Sequence, residues 1–448
     1  MSQLVTSRVK PVGFAYVPGE VFSCSGPGLA LHNFDAATLF DQTYSNQLSV
    51  GEVFIDPNGS DSNNGQLNSP MRTIEAASAI PNVGRIWVKP GVYTDRFMVR
   101  GSTMLAGGQA RPIRIEAWGG PGTVTWRAPG AQPSDMNWTA SGMAFQATPP
   151  GGEFVNHIVF REDGREIHIQ FFPSAAQVMD VASGWSQDPV SKQITVRHEN
   201  RNFLSPSEHG RLEIMYLRPV NHVIYGATVF LRHINFRADN QLLVMPEGQL
   251  RPTIYAKNCA FQYLAYHNVQ LFGALSLFQE CTSENSLGGD GWNYYEDTEN
   301  GRSCQAVEVD CIGRNNGIPQ YRDFDGYRNK QGSSGHGNSV ICRVNGVYER
   351  NYGQAIADTG TGSRTWMIGS KLSTSRHPVP INMTQQGAAG TLYIEGTAWL
   401  DHVQGSDQTW PTGLWVDGTA YLNECLFSGA AGSIGGPGPK LEFDPFAP

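Results

Sequence analysis

Between Cys281 and Cys311 the chain reads Gly288-Gly289-Asp290-Gly291-Trp292-Asn293-Tyr294-Tyr295-Glu296-Asp297. Between Cys311 and Asn345 come Arg314-Asn315-Asn316-Gly317, Tyr321-Arg322-Asp323-Phe324-Asp325, and Arg328 through Lys330, Gln331, Gly332, Ser333, Ser334, Gly335, His336, Gly337 and Asn338. Glu349-Arg350-Asn351 and Asp358 follow. Aromatic rings stack on the apolar faces of sugars, and Asp, Asn and Arg bind hydroxyls, so this mixture suits an extended sugar chain. Two chemistries use such a set. β-Elimination needs a base for the proton α to a uronate carboxyl (Lys330, Arg328 or His336) and an arginine or Ca²⁺ to neutralise the carboxylate. Hydrolysis needs two carboxylates, for which Asp290, Glu296, Asp323, Asp325, Glu349 and Asp358 are available. The sequence leaves both open. The candidate catalytic residues are Asp290, Lys330, His336 and Asp358; the candidate substrate-binding residues are Trp292, Tyr294, Tyr295, Arg322, Arg328 and Asn338. Each has a plainer reading. Asp290 after two glycines is a turn residue, Lys330 and Arg328 are solvated loop charges, and the three aromatics pack loops onto a scaffold. His336, between two glycines, is expected to be exposed.

The scaffold shows as a weak repeat. Short apolar strands pass through a small or polar residue at Asn235, Asn258, Glu280, Asp310, Asn345, Gly369, Glu395 and Glu424, in steps of 23, 22, 30, 35, 24, 26 and 29 residues. A period in the twenties made of strands and turns predicts a solenoid whose rungs bury their faces against their neighbours. The two long steps hold the residues above, so the site-bearing loops are placed at 282–340. Loop insertions in a solenoid are where sites are built. Equivalent loops of successive rungs fall on one side, which predicts a single groove containing Asp290, Tyr294, Arg328, Lys330, His336 and Asp358.

Residues 51–126 carry a family resemblance. Val53-Phe54-Ile55 is a strand, followed by a Gly/Ser/Asp/Asn turn, then Ser69-Pro70-Met71-Arg72-Thr73-Ile74 opening a short helix that Thr73 caps. Ile86-Trp87-Val88 and then Pro90-Gly91-Val92-Tyr93 come next, and Ile113-Arg114-Ile115-Glu116-Ala117 alternates as a strand does. This opening resembles that of the right-handed parallel β-helix proteins of the pectate-lyase-like group. The resemblance implies an all-β coil plugged by the short helix, and specifies chemistry weakly because many activities share the coil. A second resemblance, to phage-associated β-helix proteins, rests on Asp290-Gly291-Trp292-Asn293-Tyr294, on Glu308-Val309-Asp310-Cys311-Ile312-Gly313-Arg314-Asn315-Asn316-Gly317, and on Gly332 followed four residues later by His336. It implies a tailspike-like protein that binds and cleaves a bacterial surface polysaccharide, assembled as a homotrimer.

Composition agrees with a coil. The 448 residues include 51 Gly, and only 16% are charged, which suits many tight turns and few solvent-facing helices. The net charge of -8 without a Lys/Arg run gives no indication of a nucleic-acid or anionic-membrane partner. The seven Cys include no CxxC pair, arguing against zinc. Cys259, Cys281, Cys311 and Cys425 sit at equivalent repeat positions and are expected to form a buried ladder of reduced thiols. Asp56-x-Asn58-x-Ser60-Asp61 resembles half of a calcium loop, but lacks the Gly and Glu of an EF-hand and reads as an Asx-rich turn. No resident cofactor is expected, with Ca²⁺ as the alternative.

Four regions result: an N-terminal cap or attachment segment (1–50) with a helix at Asp35–Tyr44, first rungs (51–126), an inserted β subdomain (127–225), and the main coil (226–448). Met1–Pro11 lacks an apolar stretch after Arg8 and Lys10, so no signal peptide is visible. With the reduced thiols, this favours a virion location and attachment to tail proteins through residues 1–50. The alternatives are a free, secreted bacterial polysaccharide lyase and a spike that only binds glycan.

Overall fold

The computed structural model describes residues 7–106, 109–127, 132–199, 201–216, 222–322, 330–373, 390–407 and 411–446. Three parallel sheets stack rung upon rung. Sheet I has twelve strands, from Gly51–Ile55 to Lys440–Glu442; sheets II and III have ten each. One turn of the coil runs through Gln305–Val309 in sheet I, Ile312–Arg314 in sheet II and Ser333–Gly335 in sheet III, and then enters Val340–Val344 in sheet I. The chain is a right-handed parallel β-helix, the hand that parallel crossovers take almost without exception.

The repeat marks are backbone corners. Asn258, Glu280, Asp310, Asn345, Gly369 and Glu424 all have φ between 45 and 58° and form the single-residue turn from sheet I to sheet II. In the first and seventh rungs the corner is His233 (φ 60) and His402 (φ 52), not Asn235 and Glu395. Asn235 lies within a sheet II strand, and Glu395 follows a sheet III strand. The left-handed conformation is open to any residue at a cost, so the side-chain type at these two corners carried no signal. With His402 as the mark, the step from Gly369 is also long.

Cys259, Cys281 and Cys311, just after these corners, point inward and are at most 2% exposed. Their Sγ atoms donate to backbone carbonyls of their own or the preceding rung. Cys425 continues the column half-buried, and all the cysteines are free thiols.

The corner from sheet II to sheet III accepts loops of any length. The largest insertion lies there, between Val124–Arg127 of sheet II and His222–Tyr225 of sheet III. It contains two antiparallel sheets of four and three strands, including the hairpin Val155–Glu162 with Arg165–His168 and the pair Ser183–Gln187 with Ile194–His198. Its own core is built on Phe160, Trp185 and Val196. The coil resumes at His222, before Val229.

Helix α1 (Ala36–Tyr44) is capped by Asp35, whose carboxylate accepts from the Thr38 N–H. Helix α2 (Ile74–Ala79) is capped by Thr73 and buries Ile74 and Ala77 in the coil interior. Asp61 accepts from the N–H groups of Arg72 and Thr73, and Asp56 pairs with Lys89, so the calcium-like stretch serves a turn and a helix start.

The N-terminal segment differs from the expected end cap. It runs along the outside of sheet I over most of its rungs: Asp41 pairs with Arg114, Asp35 with Lys257, His32 with Asp310, and Arg8 with Asp401. Phe14, Val17, Phe34 and Phe40 cover Phe230, Tyr255, Leu277, Val307, Cys342 and Trp366. Under this segment sheet I is buried on both faces. Strands there such as TVFLR and TIYAK accordingly read as short apolar runs instead of alternating. Among the described residues no helix is long and apolar enough to cross a membrane.

Candidate functional site

The strand Trp292–Tyr295 lies in sheet III, in register with Val269–Phe272 on one side and Ser333–Gly335 on the other. Successive residues of a strand face opposite ways. Trp292 and Tyr294 point into the coil and are completely buried, while Asn293 and Tyr295 point outward. This alternation divides the candidate residues into two groups.

The inward group is a polar knot. The Tyr294 hydroxyl donates to Glu308 Oε1 (2.9 Å), the Tyr348 hydroxyl to Glu308 Oε2 (2.6 Å), and the Ser333 hydroxyl to Glu308 Oε1 (2.7 Å). Arg343 grips Asp358 with two parallel bonds of 2.8 and 3.0 Å, and none of Glu308, Arg343 and Asp358 is more than 1% exposed. Burial works against the Arg343 cation, but Asp358 and Glu308 outweigh it and hold the guanidinium charged. Burial, then Glu308, pushes the Tyr294 and Tyr348 hydroxyls well above their usual range. The three sheets meet here: Glu308 and Arg343 come from sheet I, Tyr348 from sheet II, and Tyr294, Ser333 and Asp358 from sheet III. Asp358 and Tyr294 therefore do not line a groove, and neither does Trp292, whose ring packs 6.2 Å from Phe278. The placements of Asp358 and Tyr294 correct the expected groove, and that of Trp292 corrects its expected place as a substrate-binding ring.

The outward group centres on Asp290, which ends the sheet II to III loop. Its Oδ2 accepts from Asn293 Nδ2 (2.7 Å) and the Ser334 hydroxyl (2.7 Å), and its Oδ1 accepts from the Gln331 N–H (2.8 Å). Its own N–H donates to His267 Nδ1 (3.0 Å). The carboxylate, which only accepts, fixes the Asn293 amide with its NH₂ inward. That NH₂ lies 3.1 Å from His336 Nε2, and His336 Nδ1 lies 2.8 Å from the Thr359 hydroxyl. A neutral imidazole protonated at Nδ1 satisfies both contacts. Burial lowers the His336 pKa, with Asp290 and Asp358 opposing. His336 is thus a packed, half-buried residue, not the exposed one its flanking glycines suggest.

Beside this cluster the outward rings stack rung over rung. Phe272 and Tyr295 are 5.2 Å apart at 16°, and Tyr295 and His336 are 4.3 Å apart at 7°. Burial, then Asp290, raises the Tyr295 hydroxyl to about 12. The stack borders a cleft of about 450 Å³ lined by Met245, Phe272, Glu296, Asp297, Glu299 and Asn300. Asn338 donates to Glu296 Oε2 (2.6 Å) at its edge.

Lys330 is 2% exposed, its stem packed against Gly317, where an added Cβ would lie 2.5 Å from Lys330 Cγ. Arg322 donates to the Val155 carbonyl (3.1 Å) and lies over Phe154, tying its loop to the inserted subdomain instead of the site. Arg328, Asp323 and Asp325 lie outside the described residues. The structure thus brings together Asp290, Tyr295, His336 and Asn338, and adds Asn293, Ser334, Thr359, His267, Phe272 and Glu296. The missed signal was the period of two, which puts Asn293 with Tyr295 and against Tyr294 and Trp292. Among the described residues no group of three or more His, Cys, Asp or Glu side chains is placed to hold a metal ion.

The sheet topology and this outward face define the class: a right-handed parallel β-helix, the architecture of the pectate-lyase-like group, with a polar and aromatic strip on sheet III. No protein-family model and no curated protein sequence matches the chain. Solved structures share the architecture at low similarity. A protein described as a glycoside hydrolase has a TM-score of 0.46 at 11% identity, over 88% of this chain and 96% of its own. Pectate lyase Pel9A has 0.36 at 13% identity, over 85% and 72%. The protein ORF18 of Geobacillus virus E2 has 0.32 at 11% identity, over 91% of this chain and 59% of its own.

Proposed function

We propose that this β-helix binds a bacterial surface polysaccharide along the outer face of sheet III and depolymerises it, as a tailspike-like protein of a phage virion. The observation that carries the reading is the unbroken outward stack Phe272–Tyr295–His336 beside a cleft containing Glu296, Asp297 and Glu299. Stacked rings supply apolar platforms for sugar faces, and carboxylates supply hydroxyl acceptors and acid–base groups. Hydrolysis is the chemistry favoured. Glu296 and Glu299 open onto the cleft, one to protonate the glycosidic oxygen and the other to assist water or attack C1. Elimination is the second reading. It is less favoured because Lys330 is buried and His336 Nε2 is already engaged with Asn293. Asp290 is a positioning residue, since it holds the Gln331 backbone and the Asn293 amide that in turn orients His336.

As a spike the protein would be a homotrimer, attached to tail proteins through residues 1–50. Light scattering at the 49.0 kDa monomer mass would instead favour a free secreted enzyme. The functional test is incubation with capsular polysaccharide and lipopolysaccharide. New reducing ends without ultraviolet absorbance from a new double bond support hydrolysis, and that absorbance supports elimination. Binding without either product identifies a spike that only adheres. No binding to any bacterial glycan overturns the reading.

A further inference from the structure

A second cleft, of about 470 Å³, lies at the sheet II to III corner, where the inserted subdomain meets the coil. The hairpin turn Asp163-Gly164 carries Arg165 to its rim, and the corner after Val347–Glu349 places Arg350 there. The acids around the cleft are already matched. Glu213 is held by Arg237 and Arg161, Glu166 by Arg237 and the Tyr263 hydroxyl, and Glu284 by Arg314. Glu349 sits in register with Arg314 on sheet II and does not line the cleft. Arg165 and Arg350 are both exposed, and among the described residues neither has an ion pair or side-chain hydrogen bond.

Two guanidinium groups thus face one concavity without a partner among the described residues, on a chain whose net charge is -8. Nothing in the backbone asks for an arginine at 350. The position has φ 55, equivalent to Asn285 and Asn315 in the two preceding rungs, and Asn is the residue that tolerates this conformation. Asn315 also lines the cleft, while its Oδ1 is buried and has no hydrogen-bond partner among the described residues. A planar guanidinium matches a carboxylate or sulfate with two parallel bonds.

We infer that Arg165, Arg350 and Asn315 form a binding subsite for an acidic saccharide unit, one bearing a carboxylate or sulfate. The inference rests on the glycan-binding reading and narrows it to an anionic glycan. Attraction between exposed charges is screened by salt, so the preference should fade as ionic strength rises.

The test is calorimetric titration of the full chain with size-matched dextran, dextran sulfate and galacturonate oligosaccharides, repeated on R165A/R350A and on Y295A. The expected result is that at least one acidic oligosaccharide binds about tenfold or more tighter than dextran, a difference of about 1.4 kcal/mol. R165A/R350A should lose that excess while its thermal unfolding is unchanged. Whether sulfate or galacturonate gains more identifies the anion. No preference for acid, or a preference that survives in R165A/R350A, overturns the subsite. If Y295A abolishes all saccharide binding and R165A/R350A changes nothing, the sheet III reading stands and the subsite fails. If acidic binding is lost only in R165A/R350A, the subsite stands and the sheet III reading fails.

Discussion

Tyr294 and Tyr295 are adjacent in sequence, and their surroundings have nothing in common. Tyr294 is sealed inside the coil with Glu308, Arg343, Asp358 and Tyr348, where every hydrogen bond is made to another interior group. Tyr295 stacks between Phe272 and His336 at the mouth of an acidic cleft. Both regions are polar, and both draw on the same sheet III strands. The difference teaches that in a parallel coil a single residue step decides whether a polar side chain is sealed among the three sheets or faces outward. The inner knot links three sheets where apolar packing would otherwise do so. The outer cluster holds loops and rings in place at the surface.

The largest effect expected from breaking this comparison comes from inside. Arg343→Ala leaves Asp358 and Glu308 buried without their cation, and breaking such a pair costs about 3–5 kcal/mol. Urea unfolding should show a clearly lower midpoint. An unchanged midpoint would mean the knot does not hold the sheets together.

A smaller effect is expected outside. Asp290→Ala removes the acceptor of Asn293, Ser334 and the Gln331 N–H, which at about 1–3 kcal/mol for unsatisfied buried donors is a local loss. It should appear as faster proteolytic nicking near Gln331 more than as a lower global midpoint. Equal protease resistance would contradict the positioning role.

Acid should act on the outer cluster, on the coil near His222 and on the insert. Burial lowers the pKa of His157, His198 and His336, and takes His222 down to about 3. Below about pH 6.5 the unfolded chain takes up protons that the folded chain refuses. Stability should therefore be full above that pH and fall as pH drops through it, by at most about 1.4 kcal/mol per unit for each group. Denaturant titrations at pH 8 and pH 5.5 check this, and equal stability at the two would contradict the neutral imidazoles.

The smallest effect concerns the thiols. Cys259, Cys281, Cys304, Cys311 and Cys342 are fully buried, whereas Cys24 is half-buried on the N-terminal segment. A thiol reagent should label Cys24 and the half-buried Cys425 first, and the five buried thiols only on unfolding. Rapid labelling of Cys259, Cys281 or Cys311 in the native protein would contradict the closed core.

The coil was legible in the sequence because its corners repeat. Six of the eight marks fall on left-handed residues, the Thr73 and Asp35 caps were visible, and the thiol column followed from the spacing. The path of residues 7–50 was not legible. Sheet I's outer residues Phe230, Tyr255 and Leu277 look like core in sequence whether a strap or another subunit covers them. The site was legible only as a neighbourhood. Loop position pointed to Asp290 and His336, but facing depends on register, and Tyr294, Trp292 and Asp358 lie one step away from the surface. Asn293 and Ser334, small polar residues in strands, carried no signal in residue type; only the period of two would have placed them on the outer face.

The measurement closest to the central claim is saccharide binding by two single variants, Y295A and Y294F, against a capsular or lipopolysaccharide preparation that the unaltered protein binds. Y295A removes a ring from the outward stack and should weaken binding about tenfold or more, about 1.4 kcal/mol, with little change in unfolding. Y294F withdraws one hydroxyl from Glu308 and should lower the unfolding midpoint while leaving saccharide affinity as it was. The opposite pattern, affinity lost in Y294F and kept in Y295A, would contradict the assignment of the outer face of sheet III as the binding surface.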